Sequence, residues 1–306
     1  MLQLKKRFTK SNDLLAWTLL AALTLIWGSS YILIKKGLVA FSPGQVATMR
    51  LTFAFLVMLP VALKYLRRIP GRILFVMVLI GIIGNLIPYL LFAISQTVIS
   101  SSVVGIINAL TPIFTMIIAV FIFKYKIKLI QVAGMILGFA GIAGLSLVDE
   151  SGIFGSINVY IWLVIAATLC YAVSLNLIKV YLSDIRSLIV TAVSLLSVGP
   201  FCMIYLFSTD FIHRFETVPG SGFSMLCIAI LGIVGTAFAL ILYTKLIQIT
   251  DALFATTVTY LLPIVSIIWG LLDGEVLYTV HFAGMILILA GVYLVNRNFY
   301  NKKLNT

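Results

Sequence analysis

The sequence predicts an all-α integral membrane protein: ten transmembrane helices in two inverted five-helix repeats, with both termini cytoplasmic. Three observations carry that prediction: apolar runs near twenty residues long, Lys and Arg gathered on one side of them, and an internal duplication. Of 306 residues, 62% are hydrophobic and 10% charged, with a mean hydropathy of +1.18. Soluble domains are about half apolar and about a quarter charged. So little polar surface cannot cover a water-facing fold, and lipid must solvate the chain. The runs show no alternation of period two, which disfavours a β-barrel.

Charge clusters and Gly/Pro turns delimit spans at 14–34, 43–63, 73–95, 98–121 and 129–148, then at 157–178, 187–207, 223–246, 252–272 and 279–296. Each run is long enough, at about 1.5 Å per residue, to cross the hydrocarbon core. The first follows a basic Lys5-Lys6-Arg7 and Lys10. It is of spanning length and lacks an A-x-A cleavage site, so it reads as a retained helix rather than a signal peptide. The second opens at Pro43. The only long link before mid-chain, 149–156 with Asp149 and Glu150, divides residues 1–150 from 151–306.

With the N-terminus inside, the inner ends collect Lys64, Arg67, Arg68 and Arg72 after span 2, Lys124, Lys126 and Lys128 after span 4, and Lys179 and Arg186 after span 6. Lys245 follows span 8, and Arg297, Lys302 and Lys303 follow span 10. Counting the N-terminal cluster, seventeen basic residues lie inside, against Lys35, Lys36 and Arg214 outside. That asymmetry fixes the orientation and accounts for the net charge of +12 without nucleic acid. Cys170, Cys202 and Cys227 sit in apolar segments and read as small core hydrophobes.

The second half echoes the first. Thr24, Leu25, Ser30, Leu33, Ile34 and Lys35 align with Thr168, Leu169, Ser174, Leu177, Ile178 and Lys179, and Trp27 aligns with Tyr171. IGIIG at 80–84 aligns with LGIVG at 231–235, and 28 residues separate Gly84 from Pro112 and Gly235 from Pro263. AGMILGFAG at 133–141 and AGMILILAG at 283–291 share seven of nine residues. An odd number of spans per half makes the repeats inverted, a plan common in secondary transporters with a midplane site between the repeats. Consistently, span 4 ends in lysines while span 9 ends in Asp273 and Glu275.

IWGSSYILIKKGL followed by SPGQVATMRLTFAF resembles the start of an EamA-type member of the drug/metabolite transporter superfamily, as does the later pattern of Pro263, Glu275 and Gly284. The resemblance covers roughly 14–296. It implies a ten-helix fold with a central cavity lined mainly by helices 1, 3, 4, 6, 8 and 9. It also implies export or exchange of metabolites, often amino acids or related compounds. Lys124 departs from the pattern, standing where many relatives carry Glu.

Arg50 is the clearest candidate for a substrate contact. A charge within a span costs about 2.5–3.5 kcal/mol, and its repeat equivalent, Ser194, is neutral. The alternative is a structural arginine reaching the outer interface or loop carbonyls. Trp27 and Ser30 lie late in helix 1. Asn85 and Asn108, with repeat mates Thr236 and Thr259, must face protein or a wet cavity rather than lipid. Tyr89, Tyr171, Tyr243 and Tyr260, with Asn176, would supply an aromatic, hydrogen-bonding wall suited to an amphipathic metabolite. Pro112 and Pro263 lie inside helices and predict kinks, with Glu275 a further candidate at a gate.

Absences narrow the classes. No carboxylate lies mid-span, so no buried proton relay is evident, although Glu275 or Asp273 at the outer end of helix 9 would allow proton coupling; exchange of one solute for another stays open. No G-x-x-x-x-G-K-[ST] loop, H-E-x-x-H motif or clustered metal ligands are present, and no cofactor or metal is expected. The reading is a transporter whose partners are a small solute and the bilayer. The alternatives are a channel or scaffold, and an integral-membrane enzyme on lipid-linked substrate. The enzyme would need a charged cluster at one face, and the outer acidic residues show no motif-defined basic partner.

Overall fold

The computed structural model describes residues 10–123, 128–146, 158–250 and 252–304. The expected link at 149–156 lies outside these residues, as do Lys5, Lys6, Arg7, Lys124 and Lys126.

Among the described residues every element is helical. The helices are α1 (Lys10–Gly28), α2 (Ser30–Leu38), α3 (Pro43–Leu66), α4 (Gly71–Gly81), α5 (Ile87–Ser95), α6 (Ser101–Asn108), α7 (Thr111–Phe123) and α8 (Leu129–Ser146). They continue as α9 (Tyr160–Tyr181), α10 (Ser187–Ser208), α11 (Phe211–Thr217), α12 (Ser221–Gly232), α13 (Ala239–Ile249), α14 (Ala252–Leu272) and α15 (Thr279–Leu304). Among the described residues, seven helical runs are long and apolar enough to cross a membrane, and three apolar helices, Leu129–Gly141, Val258–Leu272 and Thr279–Leu294, are shorter. Large apolar side chains such as Leu14, Phe121, Phe201 and Leu272 stand exposed on the outside of the bundle, where lipid would cover them.

Local chemistry sets the helix ends. Ser42 and Gln45 form a reciprocal capping box at the start of α3, with Pro43 in the first turn, where its missing N–H costs nothing. Gln45 also donates to Thr209 Oγ1 at 3.1 Å and Asp210 Oδ1 at 2.8 Å, tying α3 to the end of α10. The first span breaks at Ser29, whose hydroxyl donates to the Leu25 carbonyl at 2.7 Å and accepts from Trp269 Nε1 at 2.7 Å.

A feature absent from the hydropathy pattern appears twice. Between α4 and α5, residues Ile82–Leu86 form a π-helical segment; between α12 and α13, Ile233–Phe238 form another. A π turn holds an extra residue and leaves backbone carbonyls poorly served. In both segments a polar side chain answers the carbonyl five residues back. Asn85 Nδ2 donates to Ile80 O at 3.2 Å, and Thr236 Oγ1 donates to Leu231 O at 3.1 Å.

The two halves meet through glycines at these segments. A Cβ on Gly81 would stand 2.4 Å from Ser194 O, and one on Gly232 would stand 2.6 Å from Arg50 O. A Cβ on Gly84 would stand 2.3 Å from Ser174 Oγ, while one on Gly235 would stand 3.3 Å from Ser30 Oγ. The same backbone approach is therefore made once in each direction between residues that align in the sequence repeat.

One expectation about prolines is corrected. Pro263 lies inside α14, as anticipated, but Pro112 does not interrupt a helix. The chain turns at Ala109–Leu110, and Pro112 occupies the first turn of α7. Thr111 Oγ1 donates to the Asn108 carbonyl at 2.7 Å across that turn. A proline there removes no helical hydrogen bond.

Away from the centre, α8 packs against α15 by small residues. A Cβ on Gly291 would lie 2.5 Å from Gly134 O and 2.6 Å from Gly138 N, both backbone atoms that cannot swing aside. Gly291→Leu is expected to destabilise the folded protein by about 1–3 kcal/mol. Thermal unfolding in detergent reads the effect directly; an unchanged midpoint would mean that the pair separates freely.

Candidate functional site

A cavity with about 110 Å³ of free interior volume lies between helices of the two halves, with Gly84 of the first π segment in its wall. Helices α1 and α2 present Trp27, Ser30, Tyr31 and Ile34; α3 presents Arg50; Gly84, Tyr89 and Phe92 come from the first π segment and α5. Asn108 and Thr111 flank the α6–α7 turn. Helix α9 contributes Tyr171, Ser174, Leu175 and Ile178, α13 contributes Leu240 and Tyr243, and α14 contributes Thr259 and Leu262.

Arg50 is 5% exposed and held from three sides. Its Nε donates to Thr236 Oγ1 at 2.7 Å, its Nη2 reaches Gly235 O at 3.5 Å, and its guanidinium carbon lies 3.6 Å from the centroid of the Tyr89 ring. A desolvated cation–π contact of this kind contributes about 2 kcal/mol. Trp27 Nε1 donates to the same Gly235 carbonyl at 3.0 Å, so one carbonyl of the π segment is shared by the two cavity residues. The rings form two groups in the wall: Trp27 meets Tyr243 edge-on at 4.7 Å, and Phe92 meets Tyr171 at 5.7 Å and Tyr31 at 6.0 Å.

Of the residues singled out in the sequence, Trp27, Ser30, Arg50, Tyr89, Asn108, Tyr171 and Tyr243 line this cavity. Four do not. Asn85 is spent inside the π turn, where its Oδ1 also accepts from Tyr89 Oη at 3.2 Å. Thr236 stands behind Arg50 and orients it. Asn176 donates to Ala172 O at 2.8 Å and Thr115 O at 3.4 Å, tying α9 to α7. Tyr260 packs against the main apolar cluster. Arg50 reaches neither the outer interface nor a loop carbonyl. Sequence reasoning passed over Ser174 and Thr259 as site residues, although the first is the repeat mate of Ser30 and the second of Asn108.

One residue beyond the lining Ile34, at Lys35, begins a charged interlock. Glu275 Oε1 accepts from Lys35 Nζ at 2.9 Å, from Ser101 Oγ at 2.7 Å and from Ser101 N at 3.0 Å. Its Oε2 accepts from Ser102 Oγ at 2.6 Å and Ser102 N at 3.1 Å. The carboxylate thus caps the start of α6, where free N–H groups and the helix dipole favour an anion. Asp273 pairs with Lys35 at 2.8 Å and with Lys36. No sequence motif arranges these partners: they sit about 240 positions away and only the fold unites them. The interlock joins α2 and α6 to the segment after α14, with the Glu275 side chain 4% exposed.

The sequence profile of the EamA-like transporter family matches residues 14–147 and again 158–297. The chain belongs to the EamA-like transporter family. Among its relatives is an uncharacterized transporter of Archaeoglobus fulgidus, 26% identical over 92% of this chain and 98% of that protein. The uncharacterized inner membrane transporter YedA of Escherichia coli is 26% identical over 92% of this chain and 90% of its own, and protein PagO of Salmonella typhimurium is 26% identical over 89% of each. A solved crystal structure superposes with a TM-score of 0.65 at 15% identity, covering 98% of this chain and 100% of the other, a likeness of fold alone. This EamA-family chain is a multi-pass membrane transporter with two EamA domains, and the cavity is bounded by helices from both.

Proposed function

We propose that this EamA-family protein is a secondary transporter, an exporter or exchanger of small amphipathic metabolites in the inner membrane, working by alternating access. Its ten helices cross the bilayer with both termini inside, as two inverted five-helix repeats divided near residue 150, and they rock about the central cavity. The observation that carries this reading is the cavity itself: bounded by helices of both EamA domains, walled by rings, hydroxyls and the Asn108 amide, with the Lys35–Glu275 interlock one residue beyond the lining Ile34. The distribution of Lys and Arg puts that interlock on the outer face, so this arrangement is closed to the outside. Nothing in the cavity supplies a nucleophile with a base beside it, and the reading needs no covalent step. Its driving partner is a proton or an exchanged solute.

Metabolite profiling of the medium around producing bacteria tests the proposal, against an empty vector and variants matched for membrane abundance. One compound class should accumulate outside, and Trp27→Ala and Asn108→Ala should each reduce that accumulation while the protein stays inserted. No enrichment of any compound, or full enrichment with both variants, would count against this cavity as the transport site.

A further inference from the structure

The cavity carries one charge and nothing of opposite sign to meet it. Arg50 is the sole ionised residue among those lining the cavity; no Asp or Glu faces it, and among the described residues it forms no salt bridge. A guanidinium has five N–H donors. Here Nε is taken by Thr236 and Nη2 makes a long contact with Gly235 O, while the edge bearing Nη1 bonds no described residue. Thr236 is itself oriented, since it donates to Leu231 O at 3.1 Å and so turns its lone pair to Arg50. The ring of Tyr89 lies against one face of the guanidinium plane. The side chain is therefore braced from behind, 5% exposed, and presented to the cavity with donor capacity unused.

A buried cation without a counterion is costly. The fold does not demand it, because the residue whose carbonyl plays the matching part in the other half is Ser194, which is neutral. A ligand that brings its own negative charge removes that cost, and it does so with charge-assisted hydrogen bonds for which guanidinium geometry is suited. The remaining wall sets the rest of the ligand. With no second cation among the lining residues, a doubly charged phosphate would keep one charge unmet. With no carboxylate there and Arg50 already positive, a free ammonium would meet hydroxyls, ring faces and the Asn108 amide but no opposite charge. The rings of Trp27, Tyr31, Phe92, Tyr171 and Tyr243 offer apolar faces to a hydrocarbon or aromatic body.

We infer that the transported substrate is an organic monoanion, a carboxylate or sulfonate on an apolar or aromatic body, seated with its acid group on Arg50. This rests on the transporter reading and narrows it, setting simple carboxylates ahead of zwitterionic amino acids. The test is a ligand-observed NMR titration of the purified full chain in nanodiscs with four probes that share one body: 3-phenylpropionate, 3-phenylpropionamide, 3-phenylpropylamine and phenylalanine. The carboxylate is expected to bind roughly tenfold or more tighter than the amide, as loss of a charged hydrogen bond implies, with the amine weakest and phenylalanine below the carboxylate. Arg50→Gln should erase the preference and Arg50→Lys should retain part of it. The comparison among probes uses the unaltered protein, so it stands even where a variant folds poorly. Amide or amine binding as tight as the carboxylate, a preference unchanged in Arg50→Gln, or no binding by any of the four would each overturn the inference. Saturable solute flux in proteoliposomes reports the transporter reading separately: flux alongside any of those results leaves transport standing and removes the anion site.

Discussion

Glu275→Gln is expected to release the outer face of the protein. The carboxylate accepts four hydrogen bonds from Ser101 and Ser102 besides the ion pair with Lys35, and its side chain is 4% exposed. An amide of the same shape keeps the packing but loses the charge, and its NH₂ group would face N–H donors. Losing one charged hydrogen-bonding set costs about 2–3 kcal/mol after allowance for the half-exposed lysine. That shifts an equilibrium between outer-closed and outer-open forms by roughly 30- to 150-fold. Spin labels at the exposed Val39 and Val276 would report the change as a longer distance population. An unaltered distance distribution would reduce the interlock to a surface feature.

The same cluster makes a pH prediction. Burial pushes the Glu275 carboxyl up, but hydrogen bonds from Ser102, Ser101 and Lys35 more than offset it, leaving it below the ordinary 4.5. For Asp273, burial is likewise outweighed by Lys35 and Lys36. With folded values depressed, the stabilisation is fully present above the ordinary carboxylate range and is lost as pH falls through the folded values. The outer-closed population should therefore be flat from about pH 5 to 8. A midpoint within that window would reinstate Glu275 as a proton-coupling group.

Gly84→Leu is expected to have an effect of similar size on transport. Gly84 lines the cavity, and even a Cβ there would stand 2.3 Å from Ser174 Oγ and 2.9 Å from Ser174 Cβ. A leucine must either displace α9 or turn into the cavity; overpacking of this kind costs about 1–3 kcal/mol. Flux should fall by roughly 5- to 150-fold. Gly71→Leu, where a Cβ meets nothing within 4 Å, is the matched control and should transport normally. Equal flux from both would show that the approach of the halves at Gly84 is not needed for the cycle.

Much of this was legible in the chain. The Gly/Pro turn placed the start of α3 at Pro43, and the aligned glycines at 84 and 235, read as repeat anchors, turn out to lie where the halves approach. Arg50 stood out because a charge in an apolar run demands a partner. The π segments were not legible, because hydropathy averages over a turn and cannot register one extra residue in it. Asn85 and Asn176 were misplaced for a related reason. A buried amide must be satisfied, but the sequence does not say whether a carbonyl on its own helix, as for Asn85 with Ile80, does so before a ligand can. The interlock was hidden by distance: Glu275 stood out as a gate candidate, but Lys35, its partner 240 positions away, looked like an ordinary loop charge.

Alternating access is tested most directly by asking from which side the cavity can be reached. A single cysteine at Ser30, in a background lacking Cys170, Cys202 and Cys227, would be challenged with a membrane-impermeant maleimide from each face of oriented proteoliposomes. The account predicts labelling from the inner face and protection from the outer face, with the preference reversed when Glu275→Gln is added. Labelling at equal rates from both faces in the same preparation would mean a continuous pore, and would contradict it.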